Sequence, residues 1–503
     1  MIRKLLVANR GEIALRIVRT ARELGLQTVA VHADQDRGAP FVFAADESVP
    51  LRGRRPEETY LDVEKILQAA RSTAADAIHP GYGFLAENAD FARASRDAGL
   101  CFVGPPSDVL RLAGNKLEAR RRVEQAGVPV LPCYRGPLAS FTREAPRLGL
   151  PLLVKAAAGG GGRGMRHVDV GDVKRIEALA RAASREAESA FADGEVYLER
   201  LVPRARHVEF QVLADREGRI VQLGERDCSI QRRHQKLVEE SPSPLLDRQL
   251  RRRMAEAAVE AARAVAYEGA GTVEFLLDLD PEGKPRDFFF LEINARIQVE
   301  HPVTELRTGE DLVAWQLRIA SGEPLPERLA RVEGVGHAIE CRIAAEKPPE
   351  FLPSSGTLRR LVPPGGPGVR WDGGYAEGDV VPGEFDSLLG KVIVHAADRP
   401  RAIRRMLSAL REAEFLGVHT NQDFLAAVLE HPHFRSGRFT TSFVGEEMSS
   451  WEAKAPDDDL RWLARQVTER AAADGTGRTE PARRRGPWEL LTDWNRARGG
   501  GAS

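Results

Sequence analysis

Apolar residues recur along this chain at two alternating spacings. Residues 4–8 (KLLVA), apolar from Leu5 on, look like a buried strand. Over 11–25, Ile13, Ile17, Val18, Ala21 and Leu24 fall at helical spacing, and 28–32 (TVAVH) is again strand-like. That is a β-α-β unit, which AIH at 77–79 and CFVG at 101–104 extend, so 1 to about 112 predicts an open α/β domain. A charged helical stretch follows at Lys116–Gln125, then a strand at 150–156 ending in a glycine run and a helical pattern over Val173–Ala192. Between 196 and 225 stand three strand-like segments, VYLER, HVEFQVLA and IVQLGE. A long Ala/Arg helix is predicted over 247–267 and a strand pair over 271–279 and 287–299. A third unit covers about 330–446, with GHAIECRIAA as a strand and Arg401–Glu414 as a helix. Residues 451–503 differ: Trp451, Trp462, Trp488 and Trp494 are four of the six tryptophans. The pattern predicts an amphipathic helix over about 457–473 and a loosely ordered tail.

The polar positions are most informative between Phe290 and Glu305 (FLEINARIQVEHPVTE). Glu292, Asn294, Arg296, Gln298 and Glu300 occupy every second position, which predicts one face of an extended strand. Carboxylates and amides beside a planar cation are not core packing. They suit a metal-bound phosphate with a small planar anion next to it. The segment argues for an enzyme that activates a carboxylate-like substrate with ATP.

Other motifs carry weaker signals. AAAGGGGRGMR (156–166) follows a strand and Lys155, and consecutive glycines let backbone N–H groups close on phosphate oxygens. A flexible surface loop is the bland alternative; no Walker sequence occurs anywhere. Arginine is the default cation here, since only ten of 73 basic residues are lysine, yet Lys116, Lys155 and Lys236 all sit in motif-like contexts. ERDCSIQRRHQKLVEE (225–240), with Gln231, His234 and Lys236, reads by itself as a solvated helix face. The alternation His207, Glu209, Gln211 reads as the polar face of a half-exposed strand. HPGYGFLAEN (79–88) is a turn at a strand end, either structural or facing a ligand crevice. Glu274 alternates with apolar neighbours and needs a partner: a metal shared with Glu292 and Asn294, or an arginine.

Composition is that of an ordinary globular protein, 42% hydrophobic and 29% charged with a net charge of −1. There is no basic excess for nucleic acid or an anionic membrane, and no apolar run approaches a membrane span. The four scattered cysteines have no zinc or redox spacing, which predicts a cytoplasmic location.

Taken together, ANRGEIALRI, HPGYGFLAEN, GNK, AAAGGGGRGM, RHVEFQVLAD, ERDCSIQRRHQK, EINARIQVEHPVTE, IECRIAAE, PGEFDSLLGKVI and FLGVHTNQDFL resemble the biotin carboxylases, of the ATP-grasp superfamily, from about residue 2 to 446. The resemblance implies α/β and α+β architecture with three domains. These are an N-terminal open α/β domain (1–112), an ATP-grasp domain (113–325) with a mobile lid (about 130–200), and a C-terminal α+β domain (330–446), followed by the tail 447–503. It implies that ATP phosphorylates bicarbonate to carboxyphosphate, which breaks down in a closed site to CO2 and phosphate. The phosphate deprotonates biotin, whose enolate attacks CO2.

Matched residue by residue, Lys116, Lys155, the loop 159–164 with Gly160, Gly161 and Gly162, His207, Gln231, His234 and Lys236 take the ATP-phosphate positions. Glu199, Arg200 and Val202 take the adenine pocket, and Glu274 with Glu292 and Asn294 the Mg2+ or Mn2+ ligands. Arg296, Gln298 and the backbone of Val299 cradle bicarbonate. Glu300 is the base, Arg342 stabilises the enolate, and Tyr82 lies on the biotin side.

Three departures stand out: Asn115 where many relatives have Asp, IAAEK (343–347) for a commoner INAED, and Phe385 where tyrosine is frequent. None of the five methionines precedes a lysine, so an Ala-Met-Lys-Met biotin acceptor is absent from this sequence. The tail GPWELLTDWNRARGG is similar to the segment where longer acyl-CoA carboxylase α-chains leave the carboxylase domain. Biotin is therefore expected on a separate carrier protein, with a separate carboxyltransferase, in a homodimer or larger complex. Alternatives are the carboxylase subunit of a two-subunit pyruvate or 2-oxoacid carboxylase, another ATP-grasp ligase, and a non-catalytic scaffold that recruits the carrier.

Overall fold

The computed structural model describes residues 2–157, 165–191 and 193–453. The predicted β-α-β unit is present: the strand Lys4–Val7, the helix Gly11–Glu23 and the strand Gln27–His32. Ile13, Ile17, Val18 and Ala21 form the buried stripe of that helix, because their spacing returns them to one side every turn. The sheet is parallel, ordered Glu47–Pro50, Gln27–His32, Lys4–Val7, Ala77–His79, Cys101–Phe102.

A second, antiparallel sheet has eight strands. Its order is Pro285–Asn294, Gly269–Leu279, Ala205–Ala214, Ile220–Arg232, Gln235–Ser241, His337–Ala344, Leu388–Ala396, Val369–Gly373. It crosses the boundary expected near 325–330, since Val238 to Ser241 pair with Cys341 to Ala338. Residues from the two sequence regions thus share one continuous surface. The hydrophobic core likewise joins Leu6, Val29, Ile78 and Phe102 of the first sheet to Phe210 and Phe275 of the second.

A four-stranded sheet, Cys133–Tyr134, Val196–Arg200, Leu152–Ala156, Arg166–Val168, carries the helices Phe141–Leu148 and Ile176–Phe191. It has its own small core of Phe141, Leu152, Val154, Ile176 and Leu198.

Two expectations are corrected. HVEFQVLA is not half-exposed: every residue of Ala205–Ala214 is buried, since its strand is interior to the eight-stranded sheet. ERDCSIQRRHQKLVEE is not a helix face but a hairpin, Ile220–Arg232 and Gln235–Ser241, with 225–230 buried. Its turn holds Arg233 (φ 49°) and His234 (φ 68°), the two left-handed residues that a tight hairpin with native twist requires. The predicted helix 457–473 with Trp462, and the tail after it with Trp488 and Trp494, lie outside the described residues. So do the glycines 159–162, including Gly160, Gly161 and Gly162, with Arg163 and Gly164.

Candidate active site

The strand expected over 287–299 ends at Asn294. Arg296, Gln298 and Glu300 therefore do not share a strand face. They lie on an irregular turn that leads into the helix His301–Thr308, with Pro302 in its first turn. They still meet, because their side chains bond one another: Arg296 donates to Asn294 Oδ1 (2.9 Å) and to Gln298 Oε1 (3.3 Å). Arg296 also pairs with Glu87 (3.0 Å), whose other oxygen accepts the Ala295 amide. The turn after HPGYG thus orients the arginine. HPGYG itself is locked to ANRGE: Asn9 Nδ2 donates to the carbonyls of Pro80 and Tyr82, both at 2.7 Å. Gly81 (φ +64°) must be glycine there, since a Cβ would lie 2.8 Å from that amide.

Lys236 sits at the centre. Its ammonium donates to Glu209 (2.6 Å), Glu274 (2.9 Å) and Glu300 (2.7 Å). Cross-strand register brings these together: Glu209 is opposite Glu274, which is opposite Glu292. Glu209 also accepts from the buried Arg226 (2.6 Å), which bonds Gln211, Thr272 and Thr304 as well. Glu300 shares its second oxygen with Arg342 (2.9 Å), which is held from behind by Glu239 (2.6 Å).

Charges follow from these contacts. Burial alone would raise the Glu300 carboxyl; Lys236, Arg342 and Arg226 outweigh it and hold it below the usual range. Glu274 goes the same way, burial being outweighed by Lys236 and His207. Lys236 goes up, its desolvation being more than offset by Glu209, Glu274 and Glu300. Glu239 is pushed up to about 7 by burial, which Arg342 only partly counters. Burial, with the carboxylates of Glu209 and Glu300, also raises the Cys228 thiol, which stays neutral and points its S–H at Glu300 (3.9 Å).

For a divalent cation the relevant groups are Glu274, Glu292 and Asn294. Asn294 Nδ2 reaches Glu274 (2.9 Å), and Glu292 is the cross-strand neighbour of Glu274. Their partners are all donors of positive or N–H character. His207 is 2.9 Å from Glu274, Lys236 2.9 Å, and Lys116 is 3.0 Å from Glu292. Two carboxylates and an amide oxygen facing cationic groups fit a hard, oxygen-binding metal. Among the described residues no arginine pairs with Glu274; Lys236 and His207 take that place.

Lys155 is buried and pairs with Glu199 (2.7 Å), which also accepts from Arg120 (3.2 Å). Arg200 lies over Phe289 (5.8 Å), and Val202 is buried with Leu131 and Ala205. Gln231 is the cross-strand partner of Lys236. His234 is exposed at the hairpin turn, its pKa lowered by partial desolvation and by Lys155. Tyr82 donates its hydroxyl to Glu12.

Of the departures, Asn115 caps the helix Lys116–Gln125 by accepting the Glu118 amide (3.0 Å). Phe385 covers the Arg10 guanidinium at 4.3 Å. The alanines of IAAEK leave Arg342 with Glu239 and Glu300, and its strand is held by Asn421, which bonds Arg342 O and Ala344 N at 2.9 Å each. Sequence reasoning missed Glu12, Glu239, Lys391 and Asn421. The signal for Lys391 was there: a lysine inside the apolar strand LLGKVIVHA.

Residues 1–110 match the family model "Biotin carboxylase, N-terminal domain", and 340–446 match "Biotin carboxylase C-terminal domain". Between them, 115–328 match "Carbamoyl-phosphate synthase L chain, ATP binding domain". The biotin carboxylase of Nostoc sp. is 49% identical over 448 residues, 88% of this chain and 98% of that one. The chain belongs to the biotin carboxylases. As such it is an ATP-dependent ligase. The mitochondrial methylcrotonoyl-CoA carboxylase subunit alpha of Dictyostelium discoideum is 42% identical over 498 residues, 97% of this chain and 70% of that one. Among solved structures, the biotin carboxylase domain dimer of Hydrogenobacter thermophilus 2-oxoglutarate carboxylase, with MgADP, ADP and bicarbonate, is 43% identical. It has a TM-score of 0.86 over 90% of this chain and 100% of that one.

Proposed function

We propose that this biotin carboxylase is the carboxylating subunit of an acyl-CoA carboxylase, acting on biotin presented by a carrier protein. The observation that carries the chemistry is the single ammonium of Lys236 on Glu209, Glu274 and Glu300, with Arg342 on the far oxygen of Glu300. It supports one compartment in which phosphoryl transfer and proton transfer share a charge network.

In this reading Lys116, Lys155 and Lys236 hold the ATP phosphates, as cations on phosphoryl oxygens. Glu199, Arg200 and Val202 form the adenine side, with His207, Gln231, His234 and the glycines 160–162 completing the nucleotide site. Glu274, Glu292 and Asn294 would hold Mg2+, which supplies charge stabilisation to the transferring group when bound. Arg296, Gln298 and the Val299 backbone orient bicarbonate. Glu300 removes its proton, being held ionised and so ready to accept one. Arg342 steadies the negative oxygen of biotin, and Tyr82 lines the biotin side. In sequence order the domains are the N-terminal α/β domain (1–112), the ATP-grasp domain (113–325) with its lid at about 130–200, the C-terminal domain (330–446) and the tail 447–503.

The acyl-CoA assignment is supported by the alignment with the Dictyostelium methylcrotonoyl-CoA carboxylase subunit. That match runs over 97% of this chain, whereas the Nostoc biotin carboxylase accounts for 88%. A 2-oxoacid carboxylase is the second reading, favoured by the likeness to the Hydrogenobacter domain. Partners in either case are a biotin carrier, a carboxyltransferase and a second copy of this chain. No helix among the described residues is long and apolar enough to cross a membrane, and we place the enzyme in the cytoplasm. The test is ATP hydrolysis with and without bicarbonate and free biotin. Turnover that ignores bicarbonate would refute the chemistry. Labelled bicarbonate supplied to the reconstituted holoenzyme with acyl-CoAs or 2-oxoacids decides the acceptor.

A further inference from the structure

Lys391 is completely buried (0% exposed), on the strand Leu388–Ala396 between apolar neighbours. Desolvating an ammonium there is strongly unfavourable unless it is paired. An apolar side chain would fill the same space without that cost, so packing does not explain the lysine. Its partners do. The ammonium donates to the carbonyl of Val299 and lies 3.2 Å from Glu12 Oε1. The same Glu12 oxygen accepts the Tyr82 hydroxyl. Among the described residues, Glu12 Oε2 has no hydrogen-bond partner, so Lys391 and Tyr82 hold this carboxylate by one atom. Lys391 is also the cross-strand partner of Arg342 on one side and of Asp372 on the other.

The turn that Lys391 grips is fixed at two successive carbonyls. His301 Nδ1 binds Gln298 O (2.8 Å), and Lys391 binds Val299 O. Burial together with Lys391, Arg16 and Arg370 holds the His301 pKa well down, so its ring is neutral and its Nδ1–H donates. The backbone from Gln298 to Glu300 therefore has little freedom while these two side chains are in place. The carbonyl at Val299 reports to Lys391, Lys391 to Glu12, and Glu12 to Tyr82.

We propose that Lys391 is a positioning residue that couples the two sides of the active site, fixing the Gln298–Val299 turn and, through Glu12, the Tyr82 hydroxyl. Bicarbonate and biotin then meet at a set separation because one buried cation holds both walls. The inference rests on the assignment of Arg296, Gln298 and Val299 to bicarbonate and of Tyr82 to biotin.

The test is steady-state kinetics of the full chain with ATP, bicarbonate and free biotin, on Lys391→Met, with nucleotide affinity measured separately. A charged hydrogen bond at this site is worth roughly a tenfold effect. The expected result is that KM for bicarbonate and KM for biotin both rise by about that factor while nucleotide affinity stays within about twofold. A merely structural role would move all three together and would overturn the proposal, as would unchanged bicarbonate and biotin KM. If Lys391→Met is unfolded by circular dichroism, Glu12→Gln replaces it. That variant keeps the shape and the acceptor for Tyr82 but removes the charge. Both KM values have to rise, by a smaller factor; no change in either, or a change in one alone, overturns the coupling. Arg296→Gln is the control for the underlying assignment. If it leaves bicarbonate KM unchanged, that assignment fails. If it raises bicarbonate KM and Lys391→Met does not, the inference alone fails.

Discussion

Lys236 and Glu300 face each other at 2.7 Å, ammonium to carboxylate, and Arg342 takes the other Glu300 oxygen at 2.9 Å. The proposed base is thus kept ionised by two cations from strands that belong to different regions of the sequence. Only the continuous eight-stranded sheet, joined at Gln235–Ser241 and His337–Ala344, puts them in reach.

Glu300→Gln keeps the shape and an acceptor for Lys236 but cannot take a proton. Loss of a positioned general base lowers the rate by about 10²–10⁴-fold. The expected outcome is loss of biotin-stimulated ATP turnover with unchanged nucleotide affinity. Measuring both on one sample checks it, and a near-normal rate would remove Glu300 from the mechanism.

Lys236→Met should unsettle the fold as well as the chemistry. Glu209, Glu274 and Glu300 would lose their shared cation while still buried. Breaking a buried ion pair by removing one partner costs about 3–5 kcal/mol. Denaturant unfolding of the variant should show a loss of this size at neutral pH. Adding Glu300→Gln removes one uncompensated charge, so the double variant should be more stable than Lys236→Met alone. A double variant that is no more stable would contradict the shared-cation picture.

Stability also has a carboxylate remote from the chemistry. Glu240 is buried against His337 (2.7 Å) and Arg399 (2.6 Å). Burial would raise its carboxyl, but Arg399 and His337 hold it down to about 2, against an ordinary 4.5. A depressed folded-state value means that the unfolded chain binds the proton first as pH falls. The contribution is therefore whole above pH 4.5 and is lost between 4.5 and about 2. At 1.36 kcal/mol per pH unit it amounts to about 3 kcal/mol. Glu240→Gln should be less stable at pH 7 by that order and should lose less stability in the acid window than the parent. Equal acid profiles would refute the pairing.

The fold was legible where periodicity is local. Ile13, Ile17 and Val18 alternate as only a helix can use them, and the helix Gly11–Glu23 is where they predict it. The proposed site was legible as residue types but not as backbone. Alternation from Glu292 to Glu300 looked like a strand, yet a two-residue period is also met by a turn whose side chains bond each other, as Asn294, Arg296 and Gln298 do. The run 225–240 looked solvated because charge density alone does not reveal pairing. Arg226 is at 0% exposure only because Glu209, Gln211, Thr272 and Thr304 converge on it from other strands and a helix. Glu12 and Lys391 were missed for the same reason, being 379 residues apart and meaningful only as a pair.

The structure also decides where a tail deletion can be cut. Trp451 belongs by sequence to the tryptophan-rich tail, but its ring packs edge-on against Phe424 at 5.2 Å, and Met448 is buried in the same core. A truncation after residue 446 would therefore remove core side chains and confuse two effects. Cutting after 453 instead leaves Met448 and Trp451 in place. The shorter deletion should keep free-biotin carboxylation within about twofold of the parent, since every proposed catalytic group lies at or before Arg342 in the sequence. The longer one should in addition lose stability, on the order of 1–3 kcal/mol for an incompletely buried tryptophan and its neighbour. Thermal unfolding separates the two truncations. We also propose that residues 454–503 serve holoenzyme assembly, and the 1–453 chain tests this without that complication. Binding of the carrier and carboxyltransferase should be lost in the 1–453 chain while its own turnover is kept. Interface tryptophans are frequent energetic anchors, and Trp462, Trp488 and Trp494 all fall in the deleted segment. A 1–453 chain that assembles as tightly as the parent would assign those tryptophans no role in the interface.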